Sequence, residues 1–251
     1  CAIVNRMVPR LLNVAGWWHA QQLPKPDKTV SMTLVQANIG NQEKLMAEAG
    51  GAYRDGVLDK FFRRTLEGLA REGKPDYVVW PETAFPEVIP DPTLSEGFAA
   101  KLRQHITQLQ TRLITGGYSI KEGTSLYTNS FFVLNNNGTW ADRPYHKSVL
   151  LAFGEYIPLG DYFPVFYQWL PYTGHFGRGP GPSILNSDGI KIGAQICYEG
   201  LFDWFTRGLA NKGAHIVVNV TNDSWYGKWQ EPYQHGWMTL ARAIEVRRPL
   251  V

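Results

Sequence analysis

Cysteine is nearly absent: the chain holds two, Cys1 and Cys197, and one of them is the first residue. That argues against a disulfide framework and leaves one internal thiol free to react. Long apolar runs are missing too. No stretch of about 18 consecutive apolar residues occurs, so nothing in the sequence reads as a membrane-spanning helix, and the N-terminus lacks the layout of a cleavable secretion signal. Dense charge of one sign is also missing. The formal net charge is +3 with Lys and Arg scattered along the chain, which argues against nucleic acid as a partner. His19, His105, His146, His175, His215 and His235 show no short metal-ligand spacing. No Gly-rich phosphate loop follows a strand, because Gly177 to Pro182 is broken by prolines. Neither a metal nor a cofactor is expected.

What is present is enough for a large core. The 251 residues are 44% hydrophobic, which suits one sizeable α/β domain or two small ones. Residues 1–28 mix basic residues with Leu11, Leu12, Val14, Trp17 and Trp18 and then run through Pro24-Lys25-Pro26. Tryptophan beside basic residues suits a membrane interface, so this segment reads as a juxtamembrane lead-in to a domain over 29–251. Val30 to Ala37 alternates as a first strand, and Asp55 to Arg71 carries Val57, Leu58, Phe61, Phe62, Leu66 and Leu69 on one helical face. Tyr77 to Trp80 reads as a buried strand, Leu94 to Leu109 as a helix, and Arg112 to Tyr118 and Asn129 to Leu134 as strands. From Pro144 to Pro182 the text is irregular and aromatic, as in a lid or binding loop. His215 to Val220 is a further strand, and a last helix near Pro232 to Val246 is expected to turn Trp237, Leu240, Ala241 and Ile244 inward. Strands alternating with helices predict a layered α/β domain with reactive groups beyond strand ends.

Cys197 stands at such an end. Ile190, Ile192, Ala194 and Ile196 alternate as a half-buried strand, and Leu201, Trp204, Phe205 and Leu209 then come at helical spacing. A thiol at a strand-to-helix turn is expected to have a lowered pKa and to act as a nucleophile; a buried structural cysteine is the other reading. Glu82 comes after the short strand at Tyr77 to Trp80, directly beyond Pro81, and Lys147 lies in the loop region between the two. A carboxylate, an ammonium and a thiol make an acyl-transfer kit: Glu82 to take the thiol proton, Cys197 to attack a carbonyl, Lys147 to stabilise the oxyanion.

Trp80-Pro81-Glu82-Thr83-Ala84, Tyr145-His146-Lys147 and Ile196-Cys197-Tyr198-Glu199, in that order, resemble the triad motifs of the nitrilase superfamily. Val35-Gln36-Ala37-Asn38-Ile39, Phe153 to Pro158, Asn222 to Gly227 and Ala241 to Leu250 are similar to segments of its membrane branch, the apolipoprotein N-acyltransferases. Leu45 stands where many of these have an aromatic residue.

The resemblance implies a four-layer αββα sandwich at the periplasmic face of the bacterial inner membrane. It implies Glu82 as base, Lys147 as oxyanion stabiliser and Cys197 as nucleophile, supported by Glu155, Tyr198, Glu199 and Asn129. The implied reaction carries an acyl chain from a phospholipid, through a cysteine thioester, to the amine of a diacylglyceryl-modified lipoprotein. By the same resemblance the chain reads as truncated at both ends, its closing strands and flanking membrane helices missing. A soluble amidase acting on a small amide with the same triad is the alternative, and a non-catalytic lipid- or partner-binding domain is a third.

Overall fold

The computed structural model describes residues 13–18, 21–22, 28–90, 96–227 and 229–251. Cys1, His19 and Leu94 lie outside these, as do Leu11, Leu12 and Pro24-Lys25-Pro26 of the expected lead-in. The chain divides into two units, Cys1–Val30 and Ser31–Val251. In the first, a short helix α1 covers residues 13–18 and leaves Val14, Trp17 and Trp18 exposed. Among the described residues, no helix is long and apolar enough to cross a membrane.

The second unit is built on two sheets. The first has the order β1 (Met32–Leu34), β2 (Tyr77–Val79), β3 (Arg112–Ile120), β4 (Tyr127–Leu134), β5 (Tyr145–His146). Its first three strands run parallel, and β4 and β5 pair antiparallel. Parallel neighbours need crossovers, and α2 (Asn41–Glu48), α3 (Ala52–Glu72) and α4 (Phe98–Leu109) supply them. Val57, Leu58 and Phe61 of α3 and Leu102 and Ile106 of α4 form one core with Val78, Trp80, Leu113, Phe132 and Leu134. Trp80 Nε1 donates to Thr65 Oγ1 at 2.9 Å, so the largest buried side chain keeps its polar atom paired.

The second sheet has the order β6 (Ser183–Ser187), β7 (Ile190–Ile196), β8 (Ile216–Val220), with β6–β7 antiparallel and β7–β8 parallel. It packs on the first through β4 against β7, and Tyr77 Oη donates across to the Ser187 carbonyl at 3.1 Å. Its outer side is covered by α6 (Asp203–Asn211), which buries Phe205 and Leu209; α7 (Gln230–Val246) packs in turn on α6 and on the 3-10 turn Cys197–Leu201. The layers are helix, sheet, sheet, helix, as expected. Between β5 and β6 the aromatic segment carries a single short helix, α5 (Val165–Trp169).

The structure departs from the expected elements in several places. The first strand shrinks from Val30–Ala37 to Met32–Leu34; Val35 N still donates to Val79 O at 2.9 Å, and Asn38 turns at φ 52°. Leu66 is 47% exposed, and the α3 core face is Val57, Leu58, Phe61 and Thr65. The last helix is turned over. Trp237, Leu240 and Ile244 are exposed at 71%, 48% and 76%, and His235 and Thr239 are the buried residues. Apolar periodicity identifies the core side only when the core is apolar, and α7 lies against polar atoms of the turn that carries Cys197.

Candidate active site

Glu82 is delivered by a sharp exit from β2. Trp80 N still donates to Ile114 O at 2.8 Å, then Pro81 ends the pairing and Thr83 takes φ 47°. The turn closes over Gly116 of β3. A Cβ there would stand 2.7 Å from Glu82 Cα and closer still to Thr83 N, so only glycine leaves room for the Glu82 backbone. The carboxylate is fixed from three sides. Asn129 Nδ2 and Lys147 Nζ donate to Oε1 at 2.7 and 3.4 Å, and Asn222 N donates to Oε2 at 3.0 Å.

Lys147 comes directly after β5, its backbone N donating to Asn129 O at 2.8 Å. The side chain is 2% exposed, and Nζ also donates to Glu155 Oε1 at 2.9 Å. Burial alone would lower the pKa of this ammonium, yet Glu82 and Glu155 outweigh it and the net direction is upward. Glu155 comes from the aromatic segment, where Leu151 N holds its other oxygen at 2.9 Å, and Asn129 Nδ2 reaches its Oε1 at 3.2 Å. Glu82, Asn129, Lys147 and Glu155 thus form one largely buried network of two carboxylates, one ammonium and one amide.

Cys197 sits at the end of β7 with φ 50°, a left-handed conformation that costs a non-glycine residue about 1–3 kcal/mol. Two side chains hold its carbonyl in that turn: His235 Nε2 donates to it at 3.1 Å and Asn219 Nδ2 at 3.3 Å. The thiol pKa is pushed up to about 12, first by burial and then by the Glu82 charge; Lys147 and a hydrogen bond with Thr221 pull down without matching them. The expected lowering by a helix dipole fails. The cysteine opens a five-residue 3-10 turn instead of a long helix, and burial beside a carboxylate outweighs the small dipole of that turn.

Glu199 is fully buried and closes the turn from below. Its Oε1 accepts from Ser148 N at 2.8 Å, Val149 N at 3.1 Å and the Tyr145 hydroxyl, and its Oε2 from Ile196 N at 3.0 Å. Burial raises its pKa, with those donors acting in the opposite direction. The residue therefore ties the Lys147 strand end to the Cys197 strand end. Tyr198 is half-buried and packs edge-on against Phe202, its ring centroid 5.0 Å away.

Sequence pattern does not reveal a further ring of polar groups around the thiol: Asn219, Thr221, the Asn222 amide, Asp223 and His235. His235 Nδ1 donates to Asp223 Oδ1 at 2.9 Å. Cys197, Asp223 and His235 offer donor atoms within 4.8 Å of one another. Both His235 nitrogens are already engaged by protein acceptors, so the trio is a hydrogen-bonded clamp and not a ready cation site. One signal does exist: His235 and Thr239 are an i, i+4 polar pair opposite the apolar stripe of α7.

The carbon-nitrogen hydrolase family model matches residues 31–251, and the chain belongs to that family. Within it, the chain is similar to proteins named apolipoprotein N-acyltransferase. The one from Bdellovibrio bacteriovorus is 48% identical over 94% of this chain and 45% of its own length. The one from Geobacter metallireducens is 30% identical over 100% of this chain and 47% of its own. The chain thus spans about half the length of these curated relatives. A solved carbon-nitrogen hydrolase from Helicobacter pylori G27 shares the fold with TM-score 0.61 at 21% identity, over 88% of this chain and 71% of its own.

Proposed function

We propose that the chain is the catalytic part of an N-acyltransferase that moves a fatty acyl group from a phospholipid to the N-terminal amine of a diacylglyceryl-modified lipoprotein. The observation that carries this reading is the buried Glu82–Lys147–Glu155–Asn129 network beside a strained Cys197, taken with relatives that bear the acyltransferase name.

The charges set the order of proton transfers. Glu82 takes the Sγ proton as the thiolate attacks the ester carbonyl, and the Lys147 ammonium stabilises the oxyanion. The lysophospholipid leaves with the proton from Glu82, and the acyl group stays on Cys197 as a thioester. The acceptor amine then attacks that carbonyl, giving a proton to Glu82, and the thiolate leaves and is reprotonated. Glu155 and Asn129 hold Glu82 and Lys147, and Tyr198 and Glu199 support the nucleophile's turn. No step calls for a metal or cofactor.

The aromatic segment supports a lipid substrate. Phe153, Leu159, Tyr162, Phe163, Trp169 and Tyr172 are all more than half exposed, an apolar surface suited to acyl chains and to the bilayer. The setting this implies is the inner membrane with the site on the periplasmic side, residues 1–28 serving as a juxtamembrane lead-in. Intact mass after incubation with phospholipid tests the first half-reaction. An acyl adduct is expected on the wild type and none on Cys197→Ala; an adduct that survives in Cys197→Ala would falsify the thioester. Ammonia released from a small amide, with no lipid adduct, would replace the transferase with an amidase.

A further inference from the structure

A cavity of about 640 Å³ opens beside Glu82, and among the described residues its wall carries three charged side chains, Glu82, Asp223 and Lys44. The two carboxylates are engaged: Glu82 by Asn129, Lys147 and Asn222, and Asp223 by Thr221 and His235. Lys44 is not. It is only 8% exposed, yet among the described residues its ammonium has no ion pair or hydrogen bond, and it faces the Trp225 ring, centroid 5.6 Å away.

The position is built into the fold. Lys44 lies on the buried side of α2 with Ala47. Asn41 Nδ2 donates to Ser224 O at 3.0 Å, and Ser224 Oγ donates back to Asn41 Oδ1. The helix that carries Lys44 is therefore locked to the turn that carries Trp225. Burial pushes the Lys44 pKa below its ordinary value, with Glu82, Glu48 and Cys197 acting in the opposite direction. A nearly buried cation without a counter-ion is a costly arrangement, and a ligand that brings an anion into the cavity removes the cost.

We infer that Lys44 anchors the phosphodiester of the acyl-donor lipid at the cavity wall. The inference rests on the acyl-transfer reading and names which part of the donor is recognised. Of the two substrates, the acceptor presents an amine, which as an ammonium is repelled by Lys44; the donor presents the anion. Asn38, Asn222 and Ser224 line the same cavity and offer polar groups, and Val35, Val57 and Phe61 give it an apolar side.

The test compares two donors with identical chains, dipalmitoyl phosphatidylethanolamine and dipalmitoylglycerol, in mixed micelles, and reads the rate of adduct formation on Cys197 by intact mass. Wild type is expected to prefer the phospholipid. In Lys44→Gln that preference should fall about ten-fold, the worth of one charge-assisted hydrogen bond, and Lys44→Arg should keep most of it. Melting temperature and Cys197 alkylation verify that the variants are folded. A preference unchanged in Lys44→Gln overturns the anchor and leaves acyl transfer standing. No adduct from either donor on the wild type removes both. Inorganic phosphate that suppresses the wild-type adduct but not the Lys44→Gln adduct would assign the site to the free anion and overturn the headgroup assignment.

Discussion

His235 grips the carbonyl of Cys197. Its Nε2 donates to that oxygen at 3.1 Å, and its Nδ1 donates to Asp223 Oδ1 at 2.9 Å. Both partners only accept, so both bonds form together only when the ring carries two protons. Burial alone would lower the His235 pKa, but Asp223 and the Cys197 carbonyl outweigh it and the net shift is upward. The fold thus stabilises a positive charge directly behind the turn that carries Cys197.

Linkage fixes the sign of the pH effect. A histidine with a raised folded pKa contributes stability that is full below its unfolded value of about 6.5 and is lost as pH climbs through the folded value. Thermal melts from about pH 5 to about pH 9 should show that decline in the wild type and a flatter profile in His235→Gln. At the acid end the variant should be less stable by about 1–3 kcal/mol, the cost of leaving buried acceptors poorly paired. Parallel profiles in the two proteins would mean that His235 is neutral and the clamp misdescribed.

The thiol makes a second prediction, opposite in sign to the usual loss of reactivity. With its pKa pushed up to about 12, Cys197 should be alkylated slowly at neutral pH, the rate rising with pH throughout the accessible range. Of the charges that raise it, Glu82 acts most strongly. Glu82→Gln should therefore alkylate faster than wild type at neutral pH while losing acyl transfer. A Glu82→Gln thiol slower than wild type would show that Glu82 is not the charge that holds the proton in place.

Lys147 read only as a loop residue, whereas Glu82 and Cys197 were legible as strand ends because Pro81 and the end of the Ile192–Ala194–Ile196 alternation each mark where a strand stops. β5 was not, since two residues carry no period. β6 hid behind the prolines that precede it, and its pairing with β7 is a long-range fact. Lys44 was illegible for a different reason, and His235 showed only as half of a polar pair with Thr239. A single lysine or histidine on a helix is ordinarily solvated, and only the tertiary contact of α2 with the Ser224 turn, or of α7 with Cys197, turns either inward. The expected lowering of the thiol pKa failed likewise, because burial and the approach of Glu82 have no local sequence signature.

Gly116 is where backbone, and not side chain, sets the site. A methyl group there would meet Glu82 Cα at 2.7 Å and the Thr83 amide closer still. Both are main-chain atoms in a tight turn and cannot swing aside, so Gly116→Ala should displace Glu82. A shift of about 1 Å in a reacting group costs about 100-fold in rate. Gly116→Ala should lose that much acyl transfer while remaining folded, as circular dichroism would verify; near wild-type transfer would mean that the base lies elsewhere.

Lys147 carries the heaviest structural burden of the site. Glu82 and Glu155 both turn an oxygen toward Nζ and toward Asn129 Nδ2, with side chains 9% and 15% exposed. Lys147→Met leaves two nearly buried carboxylates with no cation between them, a change that costs about 3–5 kcal/mol. Urea denaturation at neutral pH should show it. Removing one of the stranded charges should restore part of the loss, so Lys147→Met with Glu155→Gln should be more stable than Lys147→Met alone. A double variant no more stable than Lys147→Met alone would show that lost packing of the lysine stem, and not the two carboxylates, accounts for the damage.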